Sequence, residues 1–461
     1  MTVRFMEDAR RLLALAWPVF IGQIAVLGFA TVDTVLLARH SALDLAALAV
    51  GASAYVTVFI GLMGMVMAVG PIAGQFFGGR RYADAGEQLR QALLLALVLA
   101  LPAAALLAFP QPFLWLAKAG PDVADRVRGY LLALAVAVPA ALLFTAFRGF
   151  NTAVSRPKAV MALQLGGLAL KVPLSALLVS GGSLGPLDVP ALGVTGCGVA
   201  TAIVMWTQLA AAALLTRRDR FYEPFALWSR GWPRPQRHSL GAQLRLGVPM
   251  GLAVLIEVTG FSFMALLISR LAPDQVAGHQ IAANLTALLF MMPLSMAQAA
   301  GALVAQALGA GEVGRAQALG RRALRLALGI AAVAAALLAL LRQPIAGLYT
   351  GDAALAASVV PLLAWVAAFH VADAAQAVSS QVLRAWRVAT VPVLIYALSL
   401  WGVGLGGGWW LGRGGAGPAL AGAPGFWAAG AMALVLAALA LVALLRHVAA
   451  RAQARQVAAP G

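Results

Sequence analysis

Twelve stretches of about 20 apolar residues follow one another along this 461-residue chain, each long enough to cross the hydrocarbon of a bilayer as a helix. They fall near 12–37, 46–73, 91–113, 130–150, 159–180 and 191–215 in the first half. In the second half they fall near 241–269, 276–306, 323–341, 354–379, 390–411 and 426–445. No feature constrains the fold more. Lipid offers the backbone no hydrogen bonds, so each span must satisfy its own amides as a helix. Charged residues make up 11% of the chain, against roughly a quarter in a soluble domain. A soluble enzyme, a secreted disulfide scaffold and a disordered chain are excluded. Cys197 is the only cysteine, so neither an internal disulfide nor a thiolate metal cluster can form. Between Met1 and Arg11 stand three Arg and two acids with no small-residue cleavage site beyond, so no cleavable signal peptide is expected.

The formal charge of +17 first suggests nucleic acid, but its distribution points elsewhere. With twelve spans both termini lie on one side, together with the loops near 80–90, 148–158, 217–238, 312–322 and 384–387. That side holds 25 of the 33 Lys and Arg, the other side holds seven, and Lys171 alone lies inside a span. Short loops obey the positive-inside rule, so both termini are expected in the cytoplasm. Arg217 to His238 mixes six Arg with Trp228 and Trp232. It reads as a cytoplasmic linker with tryptophans at headgroup level, and anionic lipid explains the basic excess without nucleic acid.

Sliding the chain along itself until Pro18 meets Pro249 lays the second half on the first. At that one offset Arg39 falls on Arg270, Phe59 on Phe290, Gln75 on Gln306, Gly78 on Gly309, Arg90 on Arg321 and Arg156 on Arg387. Each half holds an even number of spans, so the repeats run parallel about an axis along the membrane normal. The expected fold is an all-α polytopic membrane protein of twelve helices in two pseudo-symmetric six-helix lobes. Its divisions are 1–216, a cytoplasmic linker 217–239, a second lobe 240–446 and a cytoplasmic tail 447–461. Two bundles about a central space are what alternating access requires, and no filter-like loop argues for a channel.

Four ionisable groups lie within spans: Asp33, Lys171, Glu257 and Asp373. Each costs roughly 2.5–3.5 kcal/mol to insert near the bilayer centre. Three acids against one base suit a cation-coupled carrier, since a carboxylate in low dielectric holds H⁺ or Na⁺. The structural alternative is a polar contact between helices, such as Lys171 with Asp33. No base is expected in the second lobe's spans to neutralise Glu257 or Asp373. Thr259, Gln280, Asn284 and Gln376 are the nearby polar candidates, each of which could equally serve an interhelical hydrogen bond. Phe29, Met264, Phe290 and Met292 are the candidate lining of a substrate cavity. His279 and His370 lack a compact ligand set for a metal. The Gly402–Gly408 run reads as close helix packing or a lax helix end, and no phosphate loop follows from it.

These residues resemble the multidrug and toxic compound extrusion (MATE) family, most closely its bacterial NorM-type branch. Gly28–Thr34 with Ser41–Ala47 is similar to the family's first two helices, and Pro71–Gln75 to its Pro-x-x-Ala-Gln element, with Gly74 in place of Ala. Glu257-Val258-Thr259, Gly278–Asn284, Met292–Ser295 and Asp373–Gln376 match in the second half. The chain departs at Leu383–Val388, where Ala385 stands for the family's usual Gly, and Lys171 matches no family hallmark.

The resemblance runs from about residue 11 to 445 and implies two six-helix lobes that expel amphipathic, often cationic drugs in exchange for Na⁺ or H⁺. It implies that Asp33 couples transport to protons or drug in the first lobe, and that Glu257 and Asp373 form the cation site of the second. Neither an enzymatic activity nor a cofactor is expected beyond the coupling ion; the partners are drug or dye molecules and membrane lipids, and the chain is expected to be a monomer. The rival reading is a flippase-like carrier of lipid-linked oligosaccharide, which needs a basic cavity for its pyrophosphate cargo.

Overall fold

The computed structural model describes residues 2–184, 187–229, 231 and 233–458. Arg230 and Trp232 of the central basic stretch, and 459–461 of the tail, lie outside the described residues. The helices are α1 (Thr2–His40), α2 (Ala42–Val66), α3 (Val69–Gly78), α4 (Tyr82–Ala108), α5 (Gln111–Ala117), α6 (Pro121–Ala153), α7 (Pro157–Ser180) and α8 (Val194–Arg218). They continue as α9 (Arg237–Ile268), α10 (Pro273–Gly309), α11 (Val313–Leu340), α12 (Arg342–Tyr349), α13 (Ala353–Ala385), α14 (Thr390–Tyr396), α15 (Gly407–Gly412) and α16 (Ala423–Ala458). A two-stranded hairpin, Gly182–Leu184 with Leu187–Val189, joins α7 to α8. Among the described residues twelve helical stretches are long and apolar enough to cross a membrane. α2 with α3 makes one crossing, and α14, a π-helical segment Ala397–Gly406 and α15 make another.

Local chemistry sets the helix ends. Ser41 Oγ accepts from the Asp44 amide to start α2, and Asp352 caps the Ala354 amide to start α13. Prolines open α6, α7 and α10, where a missing amide hydrogen costs nothing. The repeat is written into these ends. α3 closes at Gly78 and α10 at Gly309, while α4 opens at Tyr82 and α11 at Val313, and both pairs keep the Pro18/Pro249 offset. Arg80 and Gly311, mates in the same register, both take positive φ in the turn between. Glycine meets that need without a Cβ clash; arginine does not.

Packing follows membrane rules. α4 buries Ala92, Ala96, Ala100 and Ala103, and α11 buries Ala316, Ala323, Ala327 and Ala331. Their large residues turn outward, with Leu101 72% and Leu340 78% exposed. Small residues bring helices close, and outward leucines lose nothing against lipid.

By internal packing the chain divides into two compact units: Ile21–Gly251, and Met1–Phe20 with Leu252–Gly461. The divisions fall inside α1 and α9, at positions that the repeat pairs, and not in the 217–239 connection. In the first unit, a Cβ on Gly64 would come 2.5 Å from Gly251 Cα, and one on Gly247 2.5 Å from Met65 O. Only glycine lets α2 and the start of α9 approach so closely. In the second unit, Leu12 and Ala16 of α1 join Met296 and Ala300 of α10 in one buried cluster. Asp8 pairs with Arg322 there as well.

The described residues of the central basic stretch make specific contacts. A 3₁₀ turn, Arg220–Phe225, drives Phe225 against Phe77, Tyr82 and Phe150. Gln91 Nε2 donates to Arg234 O, and Gln91 Oε1 accepts from the Gln236 amide. Tyr222 donates to Asn151, and burial pushes its phenol up to about 12. Trp228 stays half-exposed under the Arg217 guanidinium, 4.1 Å from its ring.

Candidate functional site

Each unit buries acid. In the first, α1 and α7 bring Asp33 and Lys171 together at 2.9 Å, the lysine fully buried and the carboxylate 8% exposed. Lys171 Nζ also donates to Thr201 Oγ1 at 2.8 Å and reaches Cys197 O at 3.5 Å. Thr201 donates in turn to Cys197 O, and Ser175 Oγ donates to Asp33 Oδ1 at 3.4 Å. The Phe29 ring centroid lies 5.8 Å from Nζ. Lys171 thus finds an acceptor for each of its three hydrogens, on α1 and α8. Ser175, one turn after Lys171 on α7, serves the same carboxylate, so one face of α7 presents both groups to Asp33.

In the second unit, α9 carries Glu257 and α13 carries Asp373, Gln376 and Arg384. Asp373 is buried and Glu257 half-buried, near enough for their charges to repel. Glu257 lies near Gln376, whose Nε2 donates to Tyr396 OH at 2.6 Å. Ser380 lies near Tyr396 as well. Gln376 Oε1 is buried without a partner among the described residues. Beside this group Trp401 Nε1, from the π-helical segment, donates to Ile256 O. Segments of that winding recur at functional sites.

The expectation that this unit holds no base near its acids is corrected here. Arg384 lies within electrostatic reach of Glu257. α13 continues to Ala385, past the expected end near 379, and carries Arg384 inside its last turn. Arg148, also expected near a loop, lies within α6 beside Gln23 Oε1 and Met63 Sδ, each at 3.5 Å.

The supporting polar residues separate. Gln376 joins the carboxylates. Thr259 donates back to Leu255 O at 2.6 Å, which leaves only its oxygen lone pairs for another partner. Gln280 and Asn284 are exposed, and Asn284 Oδ1 accepts from Tyr349. Of the four apolar candidates, Phe29 lies beside the Asp33–Lys171 pair. Phe290 and Met292 are partly buried against a core cluster. Met264, 7% exposed, packs in the core cluster with Ile268, Phe369 and Trp427, and Phe29 is buried to a similar degree at 9%. His279 packs its ring 5.8 Å from Trp427. The Gly402–Gly408 run packs on α16, Gly408 against Phe426 and Gly404 against Ala433.

Tyr396, Arg384, Ser175 and Thr201 complete these sites and had no separate sequence signal. Each comes from a helix whose facing direction only packing decides. A carboxylate pair, an amide oxygen and a phenol are hard oxygen donors, the type that an alkali cation takes, while either carboxylate can hold a proton instead.

Comparison with known proteins agrees with this architecture. The family model described as MatE matches twice, at residues 18–177 and 249–410, so that its two starts fall on Pro18 and Pro249. The probable multidrug resistance protein NorM of Aromatoleum aromaticum is 40% identical over 449 residues, 96% of this chain and 95% of that one. The multidrug resistance protein PmpM of Pseudomonas aeruginosa is 34% identical over 411 residues, 89% of this chain and 85% of that one. The MATE transporter VcmN of Vibrio cholerae, in its bent form, superposes with a TM-score of 0.82 at 18% identity, covering 97% of this chain and 98% of that one. Twelve crossings in a parallel repeat, with buried acids in each unit and these relatives along nearly the whole length, place the chain in the MATE family of membrane transporters.

Proposed function

We propose that this protein is a cation-coupled multidrug antiporter. It exports amphipathic, often cationic organic compounds by alternating access, driven by Na⁺ or H⁺ taken at Glu257 and Asp373. The observation that carries the reading is the closeness of those two carboxylates, with Gln376 near Glu257 and its buried Oε1 without a partner among the described residues. A cation at that oxygen would satisfy it and reduce the repulsion of the acids. Asp33 is the carboxylate that we assign to coupling in the first unit. The names of the relatives from Aromatoleum aromaticum and Pseudomonas aeruginosa support multidrug export. Phe29, Phe290 and Met292 offer polarizable contact to an amphipathic cation.

The bacterial inner membrane is the expected location, with both termini cytoplasmic, on the strength of 25 Lys and Arg against seven. The chain works as a monomer in this reading. The rival flippase-like reading needs bases free to bind pyrophosphate. Two of the bases in crossing helices face acids instead, Lys171 toward Asp33 and Arg384 toward Glu257, while Arg148 meets Gln23 and Met63. The test is ethidium efflux from proteoliposomes under separately imposed Na⁺ and H⁺ gradients. Efflux driven by one of them is expected. Movement of ethidium indifferent to both would refute antiport.

A further inference from the structure

A transporter that binds its driving ion at a carboxylate needs that carboxylate open to the ion. Asp33 is not open in this structure. The ammonium of Lys171 sits on it at 2.9 Å, fully buried, and is held from behind by Thr201 Oγ1 and Cys197 O. Ser175 supports the other side of the pair by donating to the same carboxylate oxygen. The other titratable groups within electrostatic reach of Asp33 are Tyr130 on α6 and Cys197 on α8, with Tyr55 on α2 beside Tyr130. None of these carries charge near neutral pH. Asp44, within reach of Cys197, is occupied by Arg126 at 2.7 Å. Among the described residues, charge balance at Asp33 therefore rests on Lys171.

The position suits more than packing. A buried ion pair is commonly no more stabilising than apolar residues of the same volume, so stability alone does not require one here. The lysine has a four-carbon stem and two neutral acceptors on α8, so its ammonium can leave Asp33 while keeping two hydrogen bonds. It is a cation on a tether, with a parking place beside the carboxylate.

We propose that Lys171 is the resident counter-cation of the first unit, so that Asp33 couples by making and breaking its pair with Lys171 and takes up no ion from solution. Resting on the antiport reading above, this leaves Glu257 and Asp373 as the ion's carboxylate site. A proton or Na⁺ approaching Asp33 must displace the tethered ammonium. A cationic substrate in the first unit must do so as well, and its departure restores the pair without an external ion.

The test is the pH dependence of ethidium efflux from proteoliposomes at fixed Na⁺, for the parent, K171Q, K171R, D33N and D33N/K171Q. K171Q opens Asp33 to protons, so its profile should gain a titrating step that the parent lacks. K171R keeps the charge and should keep the parent's profile. D33N strands an ammonium in the membrane and should lose efflux about tenfold or more. D33N/K171Q buries no unpaired charge but has no pair to make or break, so it should accumulate as folded protein, show no added titrating step, and keep efflux well below the parent's; it decides the matter alone should K171Q not accumulate. An unchanged profile in K171Q, or a double variant with the parent's efflux rate, would overturn the proposal while leaving antiport standing. A parent that moves ethidium under neither gradient would bring down antiport and, with it, this proposal.

Discussion

Asp33 of one unit and Glu257 of the other lie on helices that the internal repeat relates, α1 and α9, and Asp373 lies on the mate of α6, yet no two of these positions coincide. The repeat sets Met264 against Asp33, Val26 against Glu257 and Leu142 against Asp373. The frame is duplicated, down to paired helix ends at Gly78 and Gly309, and the polar chemistry is not. The first unit balances one acid with one base in direct contact. The second holds two acids near each other, an arginine within reach of one, and an amide oxygen with no partner among the described residues. A neutral pair closed by protein atoms has little need of a solution cation. A site with surplus negative charge and an open oxygen does. The difference teaches that pseudo-symmetry in fold carries no symmetry of coupling.

The largest effect should come from the second unit. Glu257→Gln and Asp373→Asn should each cut gradient-driven ethidium efflux by about 100-fold, because an ion that no longer prefers one state shifts no population. Ethidium binding to the same purified variants should survive. Full coupled transport in either variant would erase the contrast between the units.

Arg384→Gln sharpens the contrast from the other side. It removes the base facing Glu257 and should lower coupled efflux by about tenfold, the rough consequence of leaving a buried charge without its partner. Arg384→Lys should recover part of that rate. An Arg384→Gln rate equal to the parent's would mean that the acids of the second unit are balanced without it.

Phe29 tests whether the first unit meets substrate. Phe29→Ala should weaken ethidium binding about two- to fivefold, the scale of one cation–π contact. Cysteines at Phe290 and Met292 in a Cys197→Ala background should be protected from labelling by ethidium, whereas ones at Phe29 and Met264, 9% and 7% exposed, should label far more slowly. Fast labelling at Met264 would contradict its place in the packed core of the second unit.

The smallest effect lies outside both sites. Tyr222→Phe removes the hydroxyl bonded to Asn151 and should cost about 1 kcal/mol of stability near neutral pH, without changing ion dependence. The Tyr222 phenol, raised to about 12 by burial, stabilises the folded chain fully below its ordinary value near 10 and loses that contribution as pH rises toward 12. Thermal midpoints from pH 8 to 11 should therefore fall more steeply in the parent than in Tyr222→Phe. A change in coupling instead would place this buried cap in the transport cycle.

How much was legible in the sequence follows from the range of each signal. Apolar length and the preference of lipid for self-satisfied helices settle the twelve crossings. The constant offset from Pro18/Pro249 to Arg156/Arg387 settles the repeat. Insertion cost singles out Asp33, Lys171, Glu257 and Asp373. All of these are local properties, or comparisons of the chain with itself. Tertiary structure decided the partners. Whether Lys171 meets Asp33, Arg384 reaches Glu257, Tyr396 bonds Gln376 or Met264 turns into a core depends on how neighbouring helices are rotated and staggered. The unit boundaries inside α1 and α9, and the docking of Phe225 beneath α4 and α6, likewise depend on close approach at glycines and on aromatic fit. Hydropathy reports that a residue avoids water. It carries no information about which neighbour replaces the water, and in these sites that neighbour sets the charge.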